Sequence, residues 1–66
     1  MNDELLKYHV NLNGHNLCDL AEIIGVNPAT LTRKMKGESD FKRNEMSLIK
    51  DFLKLTNEEI EEIFFV

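Results

Sequence analysis

Between Ala29 and Arg43 the chain carries five cations, Arg33, Lys34, Lys36, Lys42 and Arg43, against two anions, Glu38 and Asp40. From Asp51 onward the balance reverses: Asp51, Glu58, Glu59, Glu61 and Glu62 stand against Lys54 alone. The first group is the kind of cluster that neutralises phosphates; the second repels them. The formal net charge is -4, but the segregation of charge matters more than its sum. A dipolar molecule still presents a positive face to a polyanion.

Other reactive groups are sparse. His15 and Cys18 have the two-residue gap that metal sites use, but no second ligand pair accompanies them, so no metal and no cofactor is expected. His9 is expected to be a surface or half-buried side chain. Cys18 is the one cysteine, which excludes an internal disulfide and fits a reducing compartment. No Ser/His/Asp or Cys/His/Asn set stands out, and three glycines make no phosphate-cradling loop. The carboxylates of the C-terminal segment share a short surface with no pocket to raise a pKa. A chain of 66 residues is one domain, 1–66, with too little core for a catalytic cleft. An enzyme is therefore not expected. Neither a leader segment nor a stretch long enough to span a bilayer is recognisable, which points to the cytoplasm and away from membranes.

The elements that must position these side chains are all helical. Asp3 to Leu12 reads as a first helix, stopped by Asn13-Gly14. Asn16 caps a second, with Asp19 completing a capping box; Leu17, Leu20, Ala21 and Ile24 form its buried stripe, and Gly25 ends it. Asn27-Pro28 starts a third helix, since Pro28 has no N–H to satisfy at the first helical position. Leu31 and Met35 face its core side, and Lys36-Gly37 closes it. A loop pinned by Phe41 leads to a fourth helix, from about Asn44 to Lys54. Met46, Ile49 and Leu53 line its inner side, with Leu48 and Phe52 beside them. Thr56 and Glu59 box the start of a last helix carrying Ile60, Ile63 and Phe64.

The segment from Asn16 to Gly37 carries the functional reading. Two helices meet across a turn of a few residues. Ala21 allows close crossing, Gly25 the sharp turn, and Val26 and Leu31 pack beneath the corner. Such a corner holds the second helix outward at a steep angle, and a protruding helix has the width of the DNA major groove.

This run, Asn16-Leu17-Cys18-Asp19-Leu20-Ala21-Glu22-Ile23-Ile24-Gly25-Val26-Asn27-Pro28-Ala29-Thr30-Leu31-Thr32-Arg33-Lys34-Met35-Lys36-Gly37, resembles the XRE family of helix-turn-helix regulators, which includes phage CI-type and Cro-type repressors. The likeness continues through Leu53-Lys54-Leu55-Thr56 and the Glu-Glu-Ile run of the last helix. It implies a compact, all-α, five-helix fold of the lambda-repressor type, with a helix-turn-helix at about 16–36 and the third helix in the major groove. On that likeness Pro28, Ala29, Thr32 and Arg33 read bases. The Arg33 fork suits guanine O6 and N7, and Ala29 or Thr32 suits a thymine methyl. Thr30, Lys34, Lys36, Lys42 and Arg43 lie near phosphates, and the second helix points its first amides, around Asn16 and Leu17, at another. Family members commonly have a large apolar residue at the position of Lys34; here Met35 is expected to fill that core slot.

The resemblance further implies a homodimer on a palindromic operator, with half-sites about one helical turn apart. Phe65 and Val66 are the candidate dimer contacts. The expected function is sequence-specific transcriptional regulation, of phage or mobile-element origin, by occupying double-stranded DNA. The acidic last helix motivates an alternative from another class: an antirepressor or modulator of the same fold that binds a partner repressor instead of DNA.

Overall fold

Each helix begins where a side chain takes up an otherwise orphaned backbone N–H. The computed structural model describes residues 1–65 and comprises α1 (Asp3–Leu12), α2 (Leu17–Ile24), α3 (Pro28–Met35), α4 (Arg43–Leu53) and α5 (Asn57–Phe64). There is no strand among the described residues. Asn2 Oδ1 accepts from the Leu5 N–H at 3.1 Å, and Asn27 Oδ1 from the Thr30 N–H at 2.8 Å. At α2 the exchange is reciprocal: Asp19 N–H donates to Asn16 Oδ1 at 2.9 Å and Asn16 N–H to Asp19 Oδ2 at 3.0 Å. Thr56 and Glu59 do the same for α5. Those of α2, α3 and α5 are the caps the sequence predicts, and each cap satisfies donors that no helical carbonyl can reach.

α2 is the hub. It packs against α1, α3 and α4, while α5 closes the far side against α1. Leu6, Leu20, Leu31, Ile49 and Ile63 are fully buried, so every helix sends at least one side chain to a common centre. Gly25, in the left-handed conformation at φ +78°, ends α2 and lets the chain reverse directly into Asn27-Pro28. Two long-range bonds tie the ends of α1 to the C-terminal half: Asn2 N–H to Ile63 O at 2.7 Å and Asn13 Nδ2 to Leu53 O at 3.3 Å.

Three expectations change. α4 starts at Arg43 and ends at Leu53, one residue earlier than predicted at each end. Its inward row is Glu45, Ile49 and Leu53, spaced four apart. Leu48 lies off that row and is exposed. His9 is buried between α1 and α5, with Nε2 3.6 Å from Glu59 Oε2. The Glu59 carboxyl is held below its ordinary range, first by the backbone N–H of Thr56, with the Thr56 hydroxyl and His9 adding to it against some desolvation.

Lys54 follows as the C-cap of α4, and its φ of +55° is the sole left-handed value at a non-glycine among the described residues. A side chain there costs about 1–2 kcal/mol of backbone strain, and glycine returns roughly half of the gain through its freer unfolded chain. Lys54→Gly is therefore expected to stabilise the fold by about 0.5–1 kcal/mol and raise its midpoint by a few degrees in thermal unfolding.

Candidate nucleic-acid interface

α3 advances about 100° per residue, and its sequence sorts cleanly around that circle. Leu31, Lys34 and Met35 point inward and are buried. Pro28, Ala29, Thr32, Arg33 and Lys36 are all exposed and fall within an arc of about 140° on the opposite side. The four predicted base-reading residues thus share one outward face. Arg33 and Lys36 have no ion-pair partner among the described residues. Thr32 Oγ1 donates its proton to Pro28 O at 3.0 Å, which leaves its oxygen lone pairs free to accept.

Lys34 does not belong to this face. It was expected near phosphate, but it is 6% exposed. Its Nζ lies 3.1 Å from Glu45 Oε1 and donates to Asp40 O at 2.9 Å, with the Phe41 ring centroid 5.9 Å away. The reason is helical phase: Lys34 and Met35 both fall on the inward side of α3, so Met35 fills its core slot and Lys34 fills the next one. An ammonium can enter there because a buried carboxylate meets it.

Glu45 was not anticipated as a site residue. Its Oε1 also accepts the Lys42 N–H at 2.8 Å. Burial pushes its carboxyl up, but the Lys42 N–H and the Lys34 ammonium together outweigh this and hold it below the ordinary carboxylate range. The Lys34–Glu45 pair therefore joins the end of α3, the loop at Asp40 and the start of α4. That junction places exposed Lys42 and Arg43 relative to the outward face of α3.

The predicted anion contact at the start of α2 also needs revision. The Asn16 side chain and its backbone N–H are both committed to Asp19, whose carboxylate sits at the same helix end 3.7 Å from His15 Nδ1. Asn16 is a cap, and the first amides without an intrahelical partner are those of half-buried Leu17 and of Cys18. Thr30 is half-buried, with its N–H held by Asn27. Leu17 lines a small cleft of about 90 Å³ with Lys7, Thr32 and Lys36. Lys7 is thereby brought beside α3, which nothing in the local pattern of α1 foretells.

Arg43, at the start of α4, also borders α5. It shares a groove with Met46, Lys50, Asn57, Ile60 and Phe65. Phe65 is 66% exposed, and Val66, the other candidate dimer contact, lies outside the described residues. The His15 ring stacks on Phe52 at 4.2 Å, and Cys18 is an exposed free thiol. No group of three or more potential metal ligands is gathered among the described residues, and no helix is long and apolar enough to cross a membrane. Compared with known proteins, the chain matches no family model, and no curated protein or solved structure shows significant similarity to it.

Removing one member of the Lys34–Glu45 pair strands the other inside the fold. Lys34→Ala is expected to cost about 3–5 kcal/mol, enough to unfold much of so small a domain. Lys34→Met combined with Glu45→Leu should lose far less. Because the folded-state pKa of Glu45 is depressed, its contribution is complete above the unfolded-state value and fades as pH falls through the folded one. Urea titrations from neutral pH into the acid range check this: Glu45→Gln should start less stable and show a shallower acid decline.

Proposed function

We propose that this chain binds double-stranded DNA in a sequence-specific manner, as a transcriptional regulator of the Cro/CI repressor type in the XRE family. In this reading α2, the Gly25 turn and α3 form a helix-turn-helix within a lambda-repressor-like five-helix domain. The observation that carries it is the outward face of α3, where Pro28, Ala29, Thr32 and Arg33 are exposed together with Lys36. A helix fits the major groove, where each base pair presents its own pattern of donors, acceptors and methyls.

The side chains suit that task individually. Arg33 supplies a planar fork for guanine O6 and N7. Ala29 and the Thr32 methyl supply apolar contact for thymine. Lys36 at the end of α3, and Lys42 and Arg43 at the start of α4, supply phosphate contacts that set register without reading sequence. Lys34 contributes indirectly, by holding the loop that carries Lys42. Regulation is steric: the protein occupies an operator that overlaps a promoter and excludes polymerase, in the cytoplasm of a bacterial cell.

A second reading keeps the fold and changes the ligand. Glu58, Glu61 and Glu62 are exposed on α5 and unpaired among the described residues, a surface suited to a basic protein partner. A modulator of this kind captures a repressor and has no measurable preference among duplexes.

Selection from a randomised duplex pool separates the two. The wild-type chain is expected to enrich one palindromic site, and Arg33→Ala to lose or relax the preference at one base pair, at a cost of about 1–3 kcal/mol. Lys36→Ala should weaken binding to all sequences alike and reduce the salt slope by about one unit. Enrichment of no site by the wild-type chain would sink the DNA reading and favour the modulator.

A further inference from the structure

Asn13-Gly14 is the one Asn-Gly pair among the seven asparagines of the chain. Glycine has no side chain to shield its backbone nitrogen, so that nitrogen reaches the side-chain carbonyl carbon of a preceding asparagine more readily than any other residue's. Local structure keeps the pair in place. Asn13 is the C-cap of α1, and Gly14 turns the chain at φ +76°, a conformation that an L side chain resists.

The fold holds the reacting groups apart. Asn13 Nδ2 donates to His9 O at 2.8 Å and, from α1 to the end of α4, to Leu53 O at 3.3 Å. The Gly14 N–H donates to Asn11 O at 3.0 Å. Closing a ring between the two residues needs Asn13 Cβ and the Gly14 nitrogen nearly eclipsed about the Cα–C bond. At the Asn13 ψ of 7° they are far from it. Reaction therefore waits until the end of α1 opens, alone or with the whole fold.

We propose that Asn13-Gly14 is a site of spontaneous deamidation that the native fold keeps closed, and that its reaction permanently cuts the side-chain tie between α1 and α4. In the opened chain, base removes the Gly14 N–H proton and the nitrogen attacks Asn13 Cγ. The Cγ–Nδ2 bond breaks, Nδ2 takes up a proton and leaves as ammonia, and a five-membered succinimide remains. Water then opens the ring. Cleavage between the Gly14 nitrogen and Cγ gives aspartate; cleavage between that nitrogen and the main-chain carbonyl carbon gives isoaspartate. Nothing is oxidised or reduced, and water is the sole co-reactant consumed. Either product replaces an amide that donates twice with a carboxylate that only accepts. Refolding sets its charge against the His9 and Leu53 oxygens and removes the α1 donor from the end of α4. Since only the opened chain reacts, the rate follows the unfolded fraction, and any ligand that binds the folded form slows it.

Incubation of the whole chain in mildly alkaline buffer, with and without guanidinium chloride, tests this by peptide mass spectrometry and isoaspartate detection. In denaturant Asn13 should convert well ahead of the other asparagines. Asn27 should stay intact, because Pro28 has no N–H to attack with. In the folded chain Asn13 should convert more than about tenfold more slowly. Lys34→Ala opens the fold without touching the pair, so it should raise the rate in plain buffer in step with its unfolded fraction. Asn13→Asp, a stand-in for one product, should unfold at a lower denaturant concentration than wild type. Equal rates in the folded and denatured chain overturn the proposal. So does an Asn13 no more reactive than Asn11 or Asn16 in denaturant, or an Asn13→Asp chain as stable as wild type.

Discussion

Glu45 Oε1 accepts two hydrogen bonds inside the fold, from the Lys42 N–H and from the Lys34 ammonium, and the arrangement of the outward surface follows from them. Leu31 and Met35 anchor α3 in the core, but the loop beyond it has as its apolar anchor Phe41 against Phe64. Lys34 adds to that anchor by reaching both Asp40 O and Glu45. A hydrophobic residue in its place would fill volume but could not hold the Asp40 carbonyl. The pair converts a loop into a fixed strut between two helices, and Lys42 and Arg43 are presented on that strut.

Most of the fold could be read from local chemistry. The cap residues Asn16, Asn27 and Thr56, the proline at the start of α3 and the left-handed Gly25 each act within a few residues of their own position, so sequence alone placed those helix ends well. What was not legible depends on where helices meet. Lys34 was expected near phosphate because nothing near it in sequence reveals a buried carboxylate eleven residues later. His9 and Leu48 exchanged expected places for the same reason: a histidine becomes core when an opposing helix brings it a partner, and a leucine becomes surface when its row turns away. At the site, the outward phase of Pro28, Ala29, Thr32 and Arg33 followed from helical periodicity. The proximity of Lys7 to α3 and the position of Arg43 beside Phe65 required the tertiary packing.

Charge is divided along the chain in a way the packing preserves. Arg33 and Lys36 form no ion pair with the glutamates of α5, and the one cation drawn inward is the one matched by a buried carboxylate. Exposed charges farther apart than about a Debye length are largely screened from one another at physiological salt. The acidic helix lowers the net charge without pairing with Arg33 or Lys36. This is how an acidic protein keeps a usable positive face.

The outward face of α3 is also nearly free of structural duty. Apart from Pro28 at the helix start and the local bond from Thr32, its side chains make none of the contacts on which the core depends. Substitution of Ala29, Arg33 or Lys36 therefore costs the scaffold little, since surface changes of this kind usually stay within about 0.5 kcal/mol. What the helix touches can drift under selection while the molecule that displays it stays the same, and the face can be rewritten by design on an unchanged frame.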